Sequence, residues 1–333
     1  MKKRILSAIL AITMIATLFV GCSQTPAASS APAGGASQPA ATSATGDAQY
    51  AIVLKTLSGD FWVKMKEGIE AKAKELNIKV DIYAAQSEDD TEGQLKIVEN
   101  CLNKNYKAIG VAPLSPVSLI PAIVKANQKG IYVMNIDEKI DLDALKKAGG
   151  SVISFATTDN VAVGGKGADY IISKIPDGGK VAIIEGKAGN VSGESRKQGA
   201  TKAFAANSKF KVVGSLPADW DRQKALDVAT SFIQQNPDLK AIYCCNDTMA
   251  LGALQAVINA NQLGKIIVVG TDGTTEALAS IKSKQLSATI AQDSAAIGVT
   301  ALNEMIKAVK DQPKIDPNVA PPTIPIESKI VAE

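Results

Sequence analysis

Two tryptophans and a series of carboxylates, amides and cations, placed just after short apolar runs, hold the chemistry this 333-residue chain offers. Lys55 and the pair Phe61-Trp62 follow the first run, and Asp137-Glu138 follows the fourth. The segment 186–196, with Asn190, Glu194 and Arg196, follows a later one; then come Asp219-Trp220-Asp221, Asn246-Asp247, Asp272 and Gln292. Carboxylates, amides and guanidinium groups each pair with two adjacent hydroxyls in a fork. Aromatic rings cover apolar C–H faces. Together these groups suit a polyol ring. A plainer reading stays open for single residues, because Asp and Asn at strand ends cap the next helix. Asp221 and Asp247 read as such caps.

Several chemistries are excluded. The chain has no histidine, which removes a His-dependent triad and any His-ligated metal. The segment 186–189 lacks the G-K-[ST] ending of a phosphate loop. The glycines at 164–167 follow no strand directly and so fail the dinucleotide fingerprint. Paired carboxylates for glycoside hydrolysis need a defined separation that sequence spacing does not supply. The cysteine spacing is not of metal type. Cys101 falls on an apolar helical stripe. The adjacent Cys244 and Cys245 point to opposite faces of a strand.

The elements that position these groups alternate regularly. β-branched apolar runs at 50–54, 80–84, 108–112, 131–136, 152–156, 181–184, 212–216, 241–245, 266–270 and 288–291 read as strands covered on both faces. Between them lie amphipathic stripes such as Trp62, Met65, Ile69, Ala73 and Leu76, at helical spacings. Repeated β-α units imply right-handed crossovers and parallel sheets. Ten or more strands point to two lobes, with a polar break at Ala156–Asp159. The fold class expected is α/β, two doubly wound parallel-sheet lobes. In such sheets ligands lie beyond the carboxyl ends of the strands, where the polar inventory falls. A last strand is expected over 326–332.

Met1-Lys2-Lys3-Arg4, an uncharged apolar run over 5–20, and Gly21-Cys22 make an export signal. The run is short for a spanning helix. A small residue before Cys22 fits lipoprotein processing, with Cys22 acylated. An ordinary signal peptide and an uncleaved anchor are the alternatives, and all three place the rest outside the cytoplasm. Residues 22–48, almost all Ala, Ser, Pro, Thr and Gly, read as a disordered tether. Removing 1–21 removes three cations and no anions, so the formal charge of +3 falls to zero. A neutral protein offers no electrostatic footprint for nucleic acid, and the lipid alone would hold it to a membrane.

Long segments carry a resemblance to a known family. They are KTLS and FWVKMK from Lys55 and Phe61, KGIYVMNIDEKID from Lys129, TTDNVAVGGKGA from Thr157 and VAIIEGKAGNVSGESR from Val181. PADWDRQKALDVAT from Pro217, AIYCCNDTMALG from Ala241 and VVGTDG from Val268 complete the set. The chain resembles the sugar-binding proteins of bacterial ABC transporters, the ribose-binding type, from about residue 50 onward. The resemblance implies two lobes, 49–155 plus 293–321 and 156–292 plus 322–333. Three crossing segments would join them, near Ala156–Asp159, Gln292 and Pro321-Pro322. It implies a monomer that closes on a monosaccharide, D-allose or a related sugar such as ribose, and presents it to a permease, with no cofactor and no catalysis. Lys55, Phe61, Trp62 and Asp137 would contact sugar from the first lobe. Glu194, Arg196, Trp220, Asn246, Asp272 and Gln292 would do so from the second lobe or the hinge. Trp62 and Trp220 would sandwich the ring. A sensor that hands its ligand to a membrane receptor is the alternative. One departure stands out: the family usually has Asn-Pro before Phe61-Trp62, where this chain has Gly59-Asp60, so the sugar-binding amide of that pattern has no equivalent.

Overall fold

The computed structural model describes residues 48–332. The expected signal peptide 1–21, the acylated Cys22 and all but the last residue of the tether lie outside the described residues. Strands and helices alternate from the first residues onward. β1 (Tyr50–Leu54), α1 (Asp60–Glu75), β2 (Val80–Ala84), α2 (Thr91–Cys101), β3 (Ala108–Val111), α3 (Ile120–Gln128), β4 (Tyr132–Ile136), α4 (Leu142–Lys147) and β5 (Phe155–Thr158) build most of one lobe. α5 (Asn160–Lys174), β6 (Gly179–Glu185), α6 (Val191–Ala205), β7 (Phe210–Pro217), α7 (Arg222–Gln235) and β8 (Leu239–Cys244) begin the other. α8 (Asp247–Asn259), β9 (Ile267–Asp272), α9 (Thr275–Lys282) and β10 (Ala288–Ala291) continue it. α10 (Ser294–Asp311), β11 (Thr323–Ile326) and β12 (Lys329–Ala332) close the chain.

The strands form two six-stranded sheets with the same winding, β11-β5-β4-β3-β1-β2 and β12-β10-β9-β8-β6-β7. Every pairing is parallel except β12 on β10, which is antiparallel. The expected two-sheet α/β class is therefore observed. The two-residue period of a strand explains the covering. Ile52 and Leu54 of β1 face a core with Met65 and Ile69 of α1 and Leu302 and Met305 of α10. Ala51 and Val53 face the opposite core with Val98, Ile123 and Leu145, carried by α2 to α4. The second sheet buries Ile183, Phe204, Phe232 and Tyr243 in one cluster.

Strand pairing places the three crossings, and one of them lies away from the expected segment. The first comes after Thr158, within the segment Ala156–Asp159, and residues 156–158 belong to the first sheet because β5 pairs with β4 through Asn135↔Phe155 and Ile136↔Ala156. The second lies at Gln292-Asp293, between β10 and α10, which packs on the first sheet. The third lies at Glu327-Ser328 and not at Pro321-Pro322. Residues 323–326, expected in the second lobe, pair with β5 of the first sheet. The prolines read as a linker, yet an edge strand tolerates residues with no N–H to donate. The Pro322 carbonyl accepts from Phe155 N, and Pro325 lies within β11 at the sheet's edge. Among the described residues, no helix is long and apolar enough to cross a membrane.

Candidate functional site

The winding fixes where a site must form. β1 lies between β2 and β3, and β6 between β7 and β8, so each sheet reverses its strand order there and leaves a crevice at its carboxyl edge. The loops leaving those edges enclose one cavity of about 200 Å³ between the lobes. That is smaller than the roughly 300–1,000 Å³ of sites for drug-sized ligands. A single small ring suits it.

On the first lobe Lys55 leaves β1 directly into the cavity wall. Its Nζ donates to Glu138 Oε2 at 2.9 Å and lies 3.8 Å from Glu88 Oε2. Burial opposes its charge, but the carboxylates of Glu138, Glu88 and Asp137 outweigh that and hold its pKa above the usual value. The Gly59 carbonyl accepts from Trp62 N and Val63 N and so starts α1. The first turn then presents Phe61 and Trp62, packed edge to face with centroids 5.0 Å apart. Trp62 Nε1 donates to Glu88 Oε1 at 3.2 Å. Asp137 directly follows β4 in the left-handed region, at φ 57°. It is buried, its Oδ1 has no hydrogen-bond partner, and its pKa is pushed up to about 7. Burial causes most of that rise, which Lys55 and Arg196 partly offset and Glu138 and Asp272 reinforce.

On the second lobe Arg196 projects from α6 and is almost fully buried. Its Nε donates to Asn160 Oδ1 and its Nη1 to Cys245 O, both at 2.8 Å, and Nη1 lies 3.4 Å from Asp272 Oδ1. Burial also pushes Asp272 up to about 7, against the pull of Arg196. Gln292 Nε2 donates to Asp272 Oδ1 at 2.6 Å, while Gln292 Oε1 is buried without a partner. Trp220 holds φ 64°, a costly conformation for a bulky residue. Its Nε1 donates to Asn190 Oδ1 at 2.9 Å, and the Arg196 guanidinium lies 5.9 Å from its ring centroid. A Cβ on Gly186 would lie 2.0 Å from Trp220 Cη2, so glycine is required for the ring to sit here. Asn246 caps α8 by accepting from Met249 N, and Asp221 caps α7 by accepting from Lys224 N. Asp247, read as a cap, is instead the buried first residue of α8. Its carboxylate accepts from Thr274 N, Thr274 Oγ1 and Thr289 Oγ1 and fixes the strand ends behind the cavity.

Nine expected residues line the cavity together: Lys55, Phe61, Trp62, Asp137, Arg196, Trp220, Asn246, Asp272 and Gln292. Glu194 does not. Ser192 and Arg196, four apart on α6, share the inward face, and Glu194, two from each, points outward to pair with Lys197 at 2.5 Å. The expectation also missed Glu88, Ser192, Thr248 and Thr274, which line the wall. Glu88 stands beyond the carboxyl end of β2, so the strand-end rule applied to that edge strand would have found it. Asp60, beside the departure at Gly59, turns its carboxylate across the cleft to Thr275. Glu138 also crosses, accepting from Ser192 N at 3.1 Å and Ser192 Oγ at 2.8 Å.

Chemically, the cavity offers acceptors in search of donors. Glu88 Oε2, Asp137 Oδ1 and Gln292 Oε1 are buried without a hydrogen-bond partner, Glu88 Oε2 keeping only its 3.8 Å ion pair with Lys55, a costly state that donors from a ligand would relieve. No activated nucleophile stands among them. The nearby Cys245 thiol is pushed up to about 12, chiefly by burial. Among the described residues no cluster of metal-ligating side chains occurs.

The sequence model of the family described as periplasmic binding protein domain matches residues 50–313. The D-allose-binding periplasmic protein of Escherichia coli (strain K12) is 56% identical over 293 residues, covering 88% of this chain and 94% of that one. The ribose import binding protein of Bacillus subtilis (strain 168) is 37% identical over 251 residues, covering 75% of this chain and 78% of that one. Among solved structures, an ABC transporter periplasmic solute binding protein from Actinobacillus succinogenes 130z with bound D-allose is similar at a TM-score of 0.80. It is 34% identical, covering 86% of this chain and 98% of that chain. A non-enzymatic binding site at the crevice of two doubly wound sheets, with these relatives across most of its length, leads to one conclusion: the chain belongs to the periplasmic sugar-binding proteins of ABC transporters, in the ribose-binding family.

Proposed function

We propose that this chain captures D-allose, or a closely related neutral monosaccharide, by closing its two lobes about the three crossing segments, and delivers it to a membrane permease. The observation that carries the reading is the set of three buried acceptor oxygens without hydrogen-bond partners, on Glu88, Asp137 and Gln292, around one small cavity. Sugar hydroxyls supply the missing donors. Arg196 and the Asn246 amide donate in return, and Trp62, Trp220 and Phe61 cover the ring. An epimer that misplaces one hydroxyl leaves a buried carboxylate unpaired, at about 1–3 kcal/mol or more. A hexose of about 12 heavy atoms has a ceiling near −18 kcal/mol, so nanomolar to micromolar binding, about −12 to −8 kcal/mol, lies within reach. The 56% identity to a protein named for D-allose supports that sugar first.

The test strips bound sugar by partial unfolding and refolding, then titrates D-allose, D-ribose, D-xylose, D-galactose and D-glucose against tryptophan fluorescence and calorimetry. D-Allose is expected to bind most tightly. Silence toward all five sugars, with no thermal shift, would sink the assignment. The proposal includes a lipid anchor on Cys22: Cys22→Ser should move the protein from the membrane to the soluble fraction. A variant that stays membrane-bound would remove the acyl anchor from the reading.

A further inference from the structure

Two groups of contacts join the lobes at the rim of the cleft. Asp60 opens α1 on the first lobe, and its Oδ2 accepts from Thr275 N at 2.8 Å and Thr275 Oγ1 at 3.1 Å on the second. Lys64, one turn further along α1, closes on the same oxygen at 2.9 Å and donates to Gly273 O at 3.3 Å. The carboxylate therefore meets the amino end of α9, where the helix dipole favours negative charge, and its own lysine reaches over to a carbonyl. Burial works against the charge on Asp60, but the Thr275 amide and Lys64 outweigh it and hold its pKa below the usual range. The second contact runs in the reverse direction. Lys187, in the loop between β6 and α6, donates to Glu88 O at 2.9 Å and to the Asp89 carboxylate of the first lobe. Lys64, Thr275, Lys187 and Asp89 are not part of the cavity wall.

We infer that Asp60 with Lys64, and Lys187 with Asp89, are closure clasps: positioning residues that raise affinity for every ligand without reading which ligand it is. The inference rests on the sugar-binding reading above. The Asp60–Lys64 pair lies within α1, but the bonds to Thr275, Gly273, Glu88 O and Asp89 exist only when the lobes meet. A ligand that needs the closed form binds with an apparent affinity scaled by the closed fraction. A group that favours closure by itself therefore multiplies all affinities by one common factor. A group that touches hydroxyls, such as Asp137, changes the ratios between sugars instead. Asp60 stands in the cavity wall as well as in the clasp, so a direct ligand role for it predicts sugar-dependent losses. Lys187 lies outside the wall and tests the idea without that ambiguity.

The experiment measures dissociation constants of the full chain for D-allose and at least two weaker sugars, in the wild type, Asp60→Ala, Asp60→Asn, Lys187→Ala and the Asp60→Ala/Lys187→Ala double variant. Asp60 and Lys64 are partly exposed, so Asp60→Ala should weaken every sugar by one common factor of about threefold to tenfold. Asp89 is exposed, so Lys187→Ala should weaken every sugar by a smaller common factor, about twofold to fivefold. Asp60→Asn keeps an acceptor for Thr275 N and should lose less than Asp60→Ala. The double variant should lose roughly the product of the single factors. Sugar selectivity, read as the ratio of dissociation constants, should stay at the wild-type value throughout. Losses that differ from sugar to sugar overturn the clasp for Asp60 and make it a ligand. Wild-type affinity in the double variant overturns it for both pairs. A wild-type protein silent to all sugars marks failure of the sugar reading itself, a result distinct from either.

Discussion

Replacing Asp137 by Asn should make the ligand-free protein more stable while it loses its ligand. The buried carboxyl holds its proton up to about pH 7, against 3.8 for an aspartate free in water. Between those values the folded state binds more protons than the unfolded chain, so Asp137 makes stability fall as pH rises through that window. The slope is about 1.4 kcal/mol per pH unit. Over roughly three units this reaches about 4 kcal/mol by pH 8. Asparagine has no proton to lose, and it tolerates the left-handed backbone at φ 57°. The variant's advantage over wild type should therefore be small near pH 4, grow up to about pH 7, and level off. Each kcal/mol should raise the melting temperature by about 2 °C in a chain of this size. Binding should move the other way. A hydroxyl that donates to a carboxylate loses about 1.5–3 kcal/mol when the charge goes, a weakening of roughly 10- to 150-fold. Urea unfolding at pH 4.5, 6, 7 and 8, with calorimetric titration at pH 7.5, measures both. A stability difference that does not change with pH would refute the reasoning, as would wild-type sugar affinity in Asp137→Asn.

Three further outcomes follow from the same geometry. Glu88→Gln removes a charged acceptor from the cavity wall and should weaken sugar binding about tenfold or more with little change in urea midpoint; unchanged affinity would take Glu88 out of the site. Gly186→Ala puts a methyl where Trp220 Cη2 stands, 2.0 Å away; sugar affinity and the ligand-induced tryptophan signal should fall together, with about 1–3 kcal/mol lost in stability, and a wild-type signal would show that the ring does not sit there. Arg196→Ala strands Asp272 beside a buried carbonyl and should cost about 3–5 kcal/mol in urea unfolding as well as binding; full stability would mean that the guanidinium is not buried as described.

Much of this architecture is legible in the residues. The alternating runs locate nearly every strand because β-branched residues apolar on both faces have few other places to go. The strand-end rule gathers nine cavity residues because winding order, not sequence distance, brings them together. What it cannot supply is direction around a helix. Glu194 sits in the right loop-helix segment but two positions from the inward pair Ser192 and Arg196. It also cannot rank two acidic residues in succession: Asp137 faces the cavity, while Glu138 ties Lys55 to the α6 terminus. The carboxyl-terminal crossing lies away from the expected prolines for a different reason. Proline density marks both linkers and edge strands, and the partner that decides between them, β5, lies more than 150 residues earlier.

That late partner has a consequence for the order in which the molecule is completed. Chains emerge from synthesis amino end first. One wall of the first lobe's core comes from Ile297, Leu302 and Met305, which are made only after nearly the whole second lobe. The open edges of both sheets, at β5 and β10, wait for residues 323–332, one strand each. Until then each edge is a template on which another chain can add a strand. Truncation at residue 320 should leave both lobes prone to aggregation at once, whereas truncation at 328 should spare the first sheet; light scattering during refolding of the two truncated chains distinguishes these cases.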